Sequence, residues 1–157
     1  MAKKADIDHG LLLLIVALLA WAIPGAGHFF IKERRRAVIL FVTITATFLT
    51  GLYIGSIAVV SPAGGLWYPV QVMASPAVAA IPGIQQQIEE SVEAERISET
   101  GMGEDSKPFE MVSYGKPYDY GQIYTAIAGA LNLLCILSAV YMAQSGRGEL
   151  IGEEENE

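Results

Sequence analysis

Three long stretches of this chain contain no Asp, Glu, Lys or Arg: Gly10–Ile31, Ala37–Ile88 and Tyr120–Gly146. A soluble domain of this size cannot leave so much of itself uncharged, because charged residues must cover its surface. A bilayer core needs roughly 20 apolar residues per helix, and each stretch is long enough to supply them. With 52% of its 157 residues hydrophobic, the chain reads as an all-α integral membrane protein with three transmembrane helices. The spans expected are about 11–30, 37–60 and 122–145. An irregular, short-helical extramembrane segment over 61–121 joins the second to the third, and an acidic tail covers 146–157.

The first hairpin is the most legible part. Leu11–Val16 opens an apolar helix that runs into Trp21-Ala22-Ile23-Pro24-Gly25-Ala26-Gly27-His28-Phe29-Phe30, and a basic block follows at Lys32, Arg34, Arg35 and Arg36. A signal peptide is the rival reading, with Lys3 and Lys4 ahead of the apolar run and Ala20-Trp21-Ala22 as a cleavage site. Asp6 and Asp8 sit in that leading region, and a basic block directly after an apolar run resists translocation. The sequence therefore favours a retained helix.

Ala37–Val60 carries small residues every four positions, at Thr43, Thr47, Gly51 and Gly55. Four-residue spacing forms one stripe on a helix. In lipid such a stripe lets two backbones approach closely. The expected partner is the third span, through Ala126, Gly129 and Ala130, with Asn132 near the middle bonded to Thr43 or Thr47. A dimer face is the other use of such a stripe.

Pro62, Pro69, Pro76 and Pro82 break the uncharged run beyond Ser61, since an interior proline removes a helix hydrogen bond. Turns and short helices on the membrane surface are expected there, with Trp67 and Tyr68 at the interface. Ile84, Ile88 and Val92 then mark one face of a short helix reaching about Ile97. Residues 98–115 read as loop. Tyr114, Tyr118, Tyr120 and Tyr124 form an aromatic belt before the third span.

The net charge of −7 is unevenly placed: the first loop is +3, the 61–121 segment −6 and the tail −4. Basic residues are confined to too short a block for a nucleic-acid surface. Short basic loops beside spans lie inside the cell, so the first loop and the C-terminus are expected in the cytoplasm and residues 61–121 outside. The single cysteine, Cys135, excludes an intramolecular disulfide, and His9 and His28 complete no metal set. No cofactor is expected, and no catalytic residue set stands out.

Two functional readings attach to single residues. His28 with Lys32, Arg34, Arg35 and Arg36 could hold an anionic lipid headgroup. Otherwise Pro24, Gly25 and Gly27 make a tight turn and the arginines set topology. Asn132 is either an interhelical hydrogen bond or part of a polar path.

The Pro24–Phe30 run, with arginines and a second helix behind it, resembles the hairpin of small uncharacterised bacterial membrane proteins that carry a Pro-Gly-x-Gly-His-Phe-Tyr-type motif. It is similar in plan to the two-transmembrane-helix domain family, whose loop also holds an aromatic pair. Gly121–Leu134 resembles the closing helix of the same uncharacterised family. The match covers residues 20–60 and 120–145, and this chain has Phe30, Lys32 and Ala37 where the pattern has Tyr, Gly and Gly. The resemblance implies a helical membrane fold and a bacterial source, and it supplies no activity. The function expected is a non-catalytic scaffold or accessory subunit that packs against lipid or a membrane-protein partner. The alternative is a component of a small-solute or ion transport system.

Overall fold

The computed structural model describes residues 9–100 and 115–145. Of the loop expected over 98–115, residues 101–114 with Tyr114 lie outside the described residues, as does the acidic tail, whereas residues 98–100 continue the preceding helix. Among the described residues six α-helices follow one another: α1 His9–Ala22, α2 Ala26–Phe30, α3 Arg34–Gly55, α4 Trp67–Val72, α5 Ile81–Thr100 and α6 Lys116–Gln144. Short 3-10 turns at Ile57–Val59, Pro62–Gly64 and Pro76–Ala80 fill the connection from α3 to α5. The described residues contain no strand. Two helices, α3 with 22 residues and α6 with 29, are long and apolar enough to cross a membrane.

The first apolar run does not continue to Phe30. With 14 residues, α1 is about 21 Å long, short of the ~30 Å of a bilayer core. It stops at Ala22 because Pro24 disfavours helical backbone at the residue before it. Gly25 then turns the chain at φ 83°, with its Cα against the carbonyl of Ala37. The basic residues are also displaced from the expected loop. Arg34, Arg35 and Arg36 form the first turn of α3, and the turn before it is made at Lys32, which takes φ 63°.

Helix α6 is the axis on which α1, α2, α3 and α4 pack. Helix α3 runs antiparallel to it. Arg36 reaches Met142 near one end, Ile44 packs with Ala128 and Cys135 in the middle, and Gly55 lies against Gly121 at the other end. Helix α1 starts at the same end as α3. Val16 packs with Ala139 and Met142, and Trp21 and Ala22 reach toward the middle of α6.

The proline-broken segment comes from the opposite end. It folds back along α6, with Gln71, Ala74 and Val78 buried and Leu66, Trp67 and Val70 exposed. Val59, Val60, Ala74 and Val78 form a buried cluster with Phe48, Leu52 and Tyr118 around it. Each proline has a place where its missing N–H costs little. Pro62 and Pro76 open 3-10 turns whose first N–H groups are capped by the hydroxyls of Ser61 and Ser75. Helix α5 then leaves the bundle: its start meets the 3-10 turns, and Ile84, Val92 and Ile97 are exposed.

Candidate functional site

Burial of polar side chains marks the site, because in a hydrocarbon-like interior each such group needs a partner. Five are buried among the described residues: His28, Gln71, Gln122, Thr125 and Asn132. Three of them project from α6, which presents Thr125, Asn132 and, beyond them, Cys135 and Ser138 along the side facing α4 and α2.

Asn132 shows the logic. Its Nδ2 donates to the carbonyls of Met73 and Ala74, at 2.9 and 3.1 Å. The expected partners Thr43 and Thr47 are not used. Thr43 is exposed, and Thr47 donates to the Thr43 carbonyl within its own helix. The chain breaks at Met73, so its carbonyls lack helical partners there, and Asn132 supplies the missing donor.

The same relation recurs along the segment. Gln71 Nε2 donates to the Val59 carbonyl at 3.1 Å and to Thr125 Oγ1 at 2.8 Å. Thr125 Oγ1 in turn donates back to its own helix at Gly121. Gln85 Nε2 donates to the carbonyls of Ile57 and Val60. Trp21 Nε1 donates to the Val72 carbonyl at 3.2 Å, and Ser75 Oγ to the Ala22 carbonyl at 3.1 Å. Amide, hydroxyl and indole donors thus end on backbone carbonyls of the irregular segment or of the α1 terminus. Gln71 Oε1 and Asn132 Oδ1 are buried with no hydrogen-bond partner.

His28 belongs to a second cluster. It is 1% exposed, with Nδ1 3.5 Å from Cys135 Sγ and Nε2 3.4 Å from Ser138 Oγ. Its ring therefore packs against α6, with Cys135 and Ser138 as its side-chain neighbours there. Arg36 is engaged as well: Nη1 donates to Met142 Sδ at 3.2 Å, and Nε lies 3.8 Å from Glu33 Oε2. Arg34 and Arg35 are exposed, and the Arg34 guanidinium stands 5.8 Å from the Phe29 ring centre.

The small-residue seam is made by fewer residues than expected, and by one that the stripe did not include. Gly51 and Gly55 face α6, but their partner is Gly121. A Cβ on Gly121 would stand 2.7 Å from the Gly55 Cα, and one on Gly51 would stand 2.9 Å from the Gly121 carbonyl oxygen. Gly129 is buried against the Val70 carbonyl of α4, not against α3. Ala126 is buried and Ala130 is exposed. In the hairpin turn, Gly27 fits between Ala20 of α1 and Ala139 of α6.

Sequence reading missed Gln71, Thr125, Gln85, Trp21 and Cys135 as interacting residues. Gln71 carried a usable signal, being the one amide between Ser61 and Ile84. The approach of Cys135 to His28 carried none, because it spans 107 positions.

No curated protein and no solved structure matches the chain. The family match agrees with the expectation of an uncharacterised family and bears on neither the hairpin motif nor the two-helix family. Residues 15–149, nearly everything from the middle of α1 to beyond α6, match a single family profile, and the chain belongs to that family of unknown function, DUF6677.

Proposed function

We propose that this chain is a non-catalytic integral membrane protein, a scaffold or accessory subunit that packs against lipid or another membrane protein. In this reading α3 and α6 cross the bilayer. Helix α1 with α2 enters from the end where α3 begins and returns to it. The 57–81 segment enters from the opposite end. Their tips touch near the middle of α6, through Trp21–Val72 and Ala22–Ser75.

The observation that carries the reading is the use of the polar side chains. Irregular backbone at membrane depth is tolerated only where its polar groups are satisfied inside the protein. Here Gln71, Gln85, Asn132, Trp21 and Ser75 spend their donors on freed carbonyls. They hold a shape and leave no donor set for a substrate.

This topology replaces three spans with two, and it suits the charges better. It places Lys32, Arg34, Arg35 and Arg36 on one end, against Arg96 and Lys116 on the other. Basic residues near spans favour the cytoplasm, so the start of α1, the α2–α3 turn and the end of α6 are on the cytoplasmic side of the cell membrane and α5 is outside.

A transport component is the second reading. Gln71 Oε1 and Asn132 Oδ1 favour it, as two buried acceptors without partners where two broken elements meet. Cysteine accessibility separates the readings, in a background with Cys135→Ala. With an impermeant thiol reagent on intact cells, Gln87→Cys is labelled, and Lys3→Cys is labelled only after the cells are broken. Labelling of Lys3→Cys on intact cells restores three spans. Gln71→Cys stays unlabelled by a small water-soluble reagent in a dry scaffold, and its labelling reveals a water path and the transport reading.

A further inference from the structure

An apolar groove runs along α3 on the side facing the end of α1. Its first part, 300 Å³, is lined by Leu19, Phe29, Ala37 and Val38 among others. Its second part, 420 Å³, continues past Ile44 and Phe48 to Val78. The two parts share Ile23, Pro24 and Phe41, so they adjoin along the helix. It exists because α1 stops at Ala22: a full-length first span would have filled it.

We propose that this groove holds one acyl chain of an anionic phospholipid, with the phosphate at Arg34. The proposal rests on the membrane reading above and names the lipid which that reading leaves open. Two observations fix the occupant. The first is length. From Ala37 to Phe48 the groove follows twelve residues of α3, a rise of about 16 Å. One leaflet of a bilayer core is about 15 Å deep, half of the full thickness. A single chain therefore fills the groove from the interface to the midplane.

The second observation is charge. Phe29 forms part of the groove wall, and Arg34 stands over its ring with an exposed guanidinium. Arg35, also exposed, follows on the same helix end. Positive charge thus sits at one end of the groove, and the rest of the wall is apolar apart from Thr45 and Ser75. An anionic headgroup with its chain running away from it matches that pattern. A second copy of the chain does not. Two copies inserted in the same direction would bring their Arg34–Arg36 turns to one depth, with like charges facing each other.

Native mass spectrometry tests this on the full chain extracted from membranes. The probes are phosphatidylglycerol and phosphatidylcholine with identical chains. The expected result is one retained lipid per protein, with phosphatidylglycerol preferred. Arg34→Gln lowers that preference about fivefold, the factor one basic residue supplies at a charged surface, and Arg34→Lys keeps it. Val38→Trp, which fills the groove, lowers retention of both lipids. Circular dichroism confirms that each variant remains helical. If Arg34→Gln does not fold, salt replaces it, since the preference of the unaltered protein must fall as screening increases. Full preference in Arg34→Gln, or salt-independent preference, overturns the phosphate contact. Unchanged retention in Val38→Trp overturns the groove. A dimer that Val38→Trp dissociates gives the groove to a second copy. A chain recovered outside the membrane fraction defeats the membrane reading itself, whereas an inserted chain with no lipid preference defeats this proposal alone.

Discussion

The indole Nε1 of Trp21 donates to the carbonyl of Val72 across 3.2 Å, tying the last turn of α1 to the last turn of α4. The two residues are 51 positions apart and sit on elements that reach the middle of α6 from opposite ends. A second bond, from Ser75 to the Ala22 carbonyl, lies beside it. Together they close the junction between two incomplete elements. Each would otherwise end with carbonyls unpaired in an apolar interior.

Trp21→Phe tests the junction with little change in shape. It removes the indole donor and leaves the Val72 carbonyl unpaired. A loss of about 1–3 kcal/mol is expected in detergent unfolding, the cost of one buried unsatisfied group. Trp67, which is 46% exposed, is the control, and Trp67→Phe stays near neutral. Equal losses in the two variants refute the junction.

The crossing of α3 and α6 leaves no room for a methyl group at Gly121, because the nearest atoms are the backbone of Gly55 and Gly51. Backbone cannot yield as a side chain can, so Gly121→Ala costs about 1–3 kcal/mol. Gly83, in the first turn of α5, has nothing within 4 Å of an added Cβ. Gly83→Ala is expected to be neutral or to gain up to about 1 kcal/mol, through reduced backbone entropy. Thermal unfolding of the two variants side by side reads both signs.

Ser56 ends α3 at φ 66° and ψ 172°, a conformation that only glycine adopts at ease. Its side chain is exposed. Ser56→Gly relieves strain of about 1–3 kcal/mol, and the gain is reduced by the greater freedom of glycine in the unfolded chain. A higher midpoint of thermal unfolding is the expected result, and a lower one shows that Ser56 is not strained.

Gln71 and Thr125 form a side-chain pair that a double-mutant cycle can isolate. Gln71→Leu and Thr125→Val, singly and together, are expected to give a coupling energy of about 0.6–1.7 kcal/mol, as for other interhelical hydrogen bonds in lipid. A coupling near zero would remove the pair from the account of the fold.

Cys135 is 3% exposed and is covered by His28. Its thiol is expected to resist a membrane-permeant maleimide in the folded protein and to react fully once unfolded. His28→Ala opens that side and accelerates the reaction, while circular dichroism reports whether the helices persist. Rapid labelling of the unaltered protein would show the cluster to be open.

The sequence by itself determined that the chain is helical and where its apolar helices lie, since uncharged runs of sufficient length have few other solutions. It marked the break at Pro24 and Gly25 and the irregularity imposed by four prolines, because those residues act on their own backbone. It also marked Gly51 and Gly55 as a close-contact face, because four-residue spacing is local geometry. The partners of those features were decided by the tertiary structure. Gly51 meets Gly121 instead of Ala130, and Asn132 meets Met73 and Ala74 instead of the Thr stripe, because register between helices is set by the whole packing surface. The proline-broken segment folds back along α6 for the same reason. Its freed carbonyls find donors on α6, α1 and α5, which only the folded chain brings within reach.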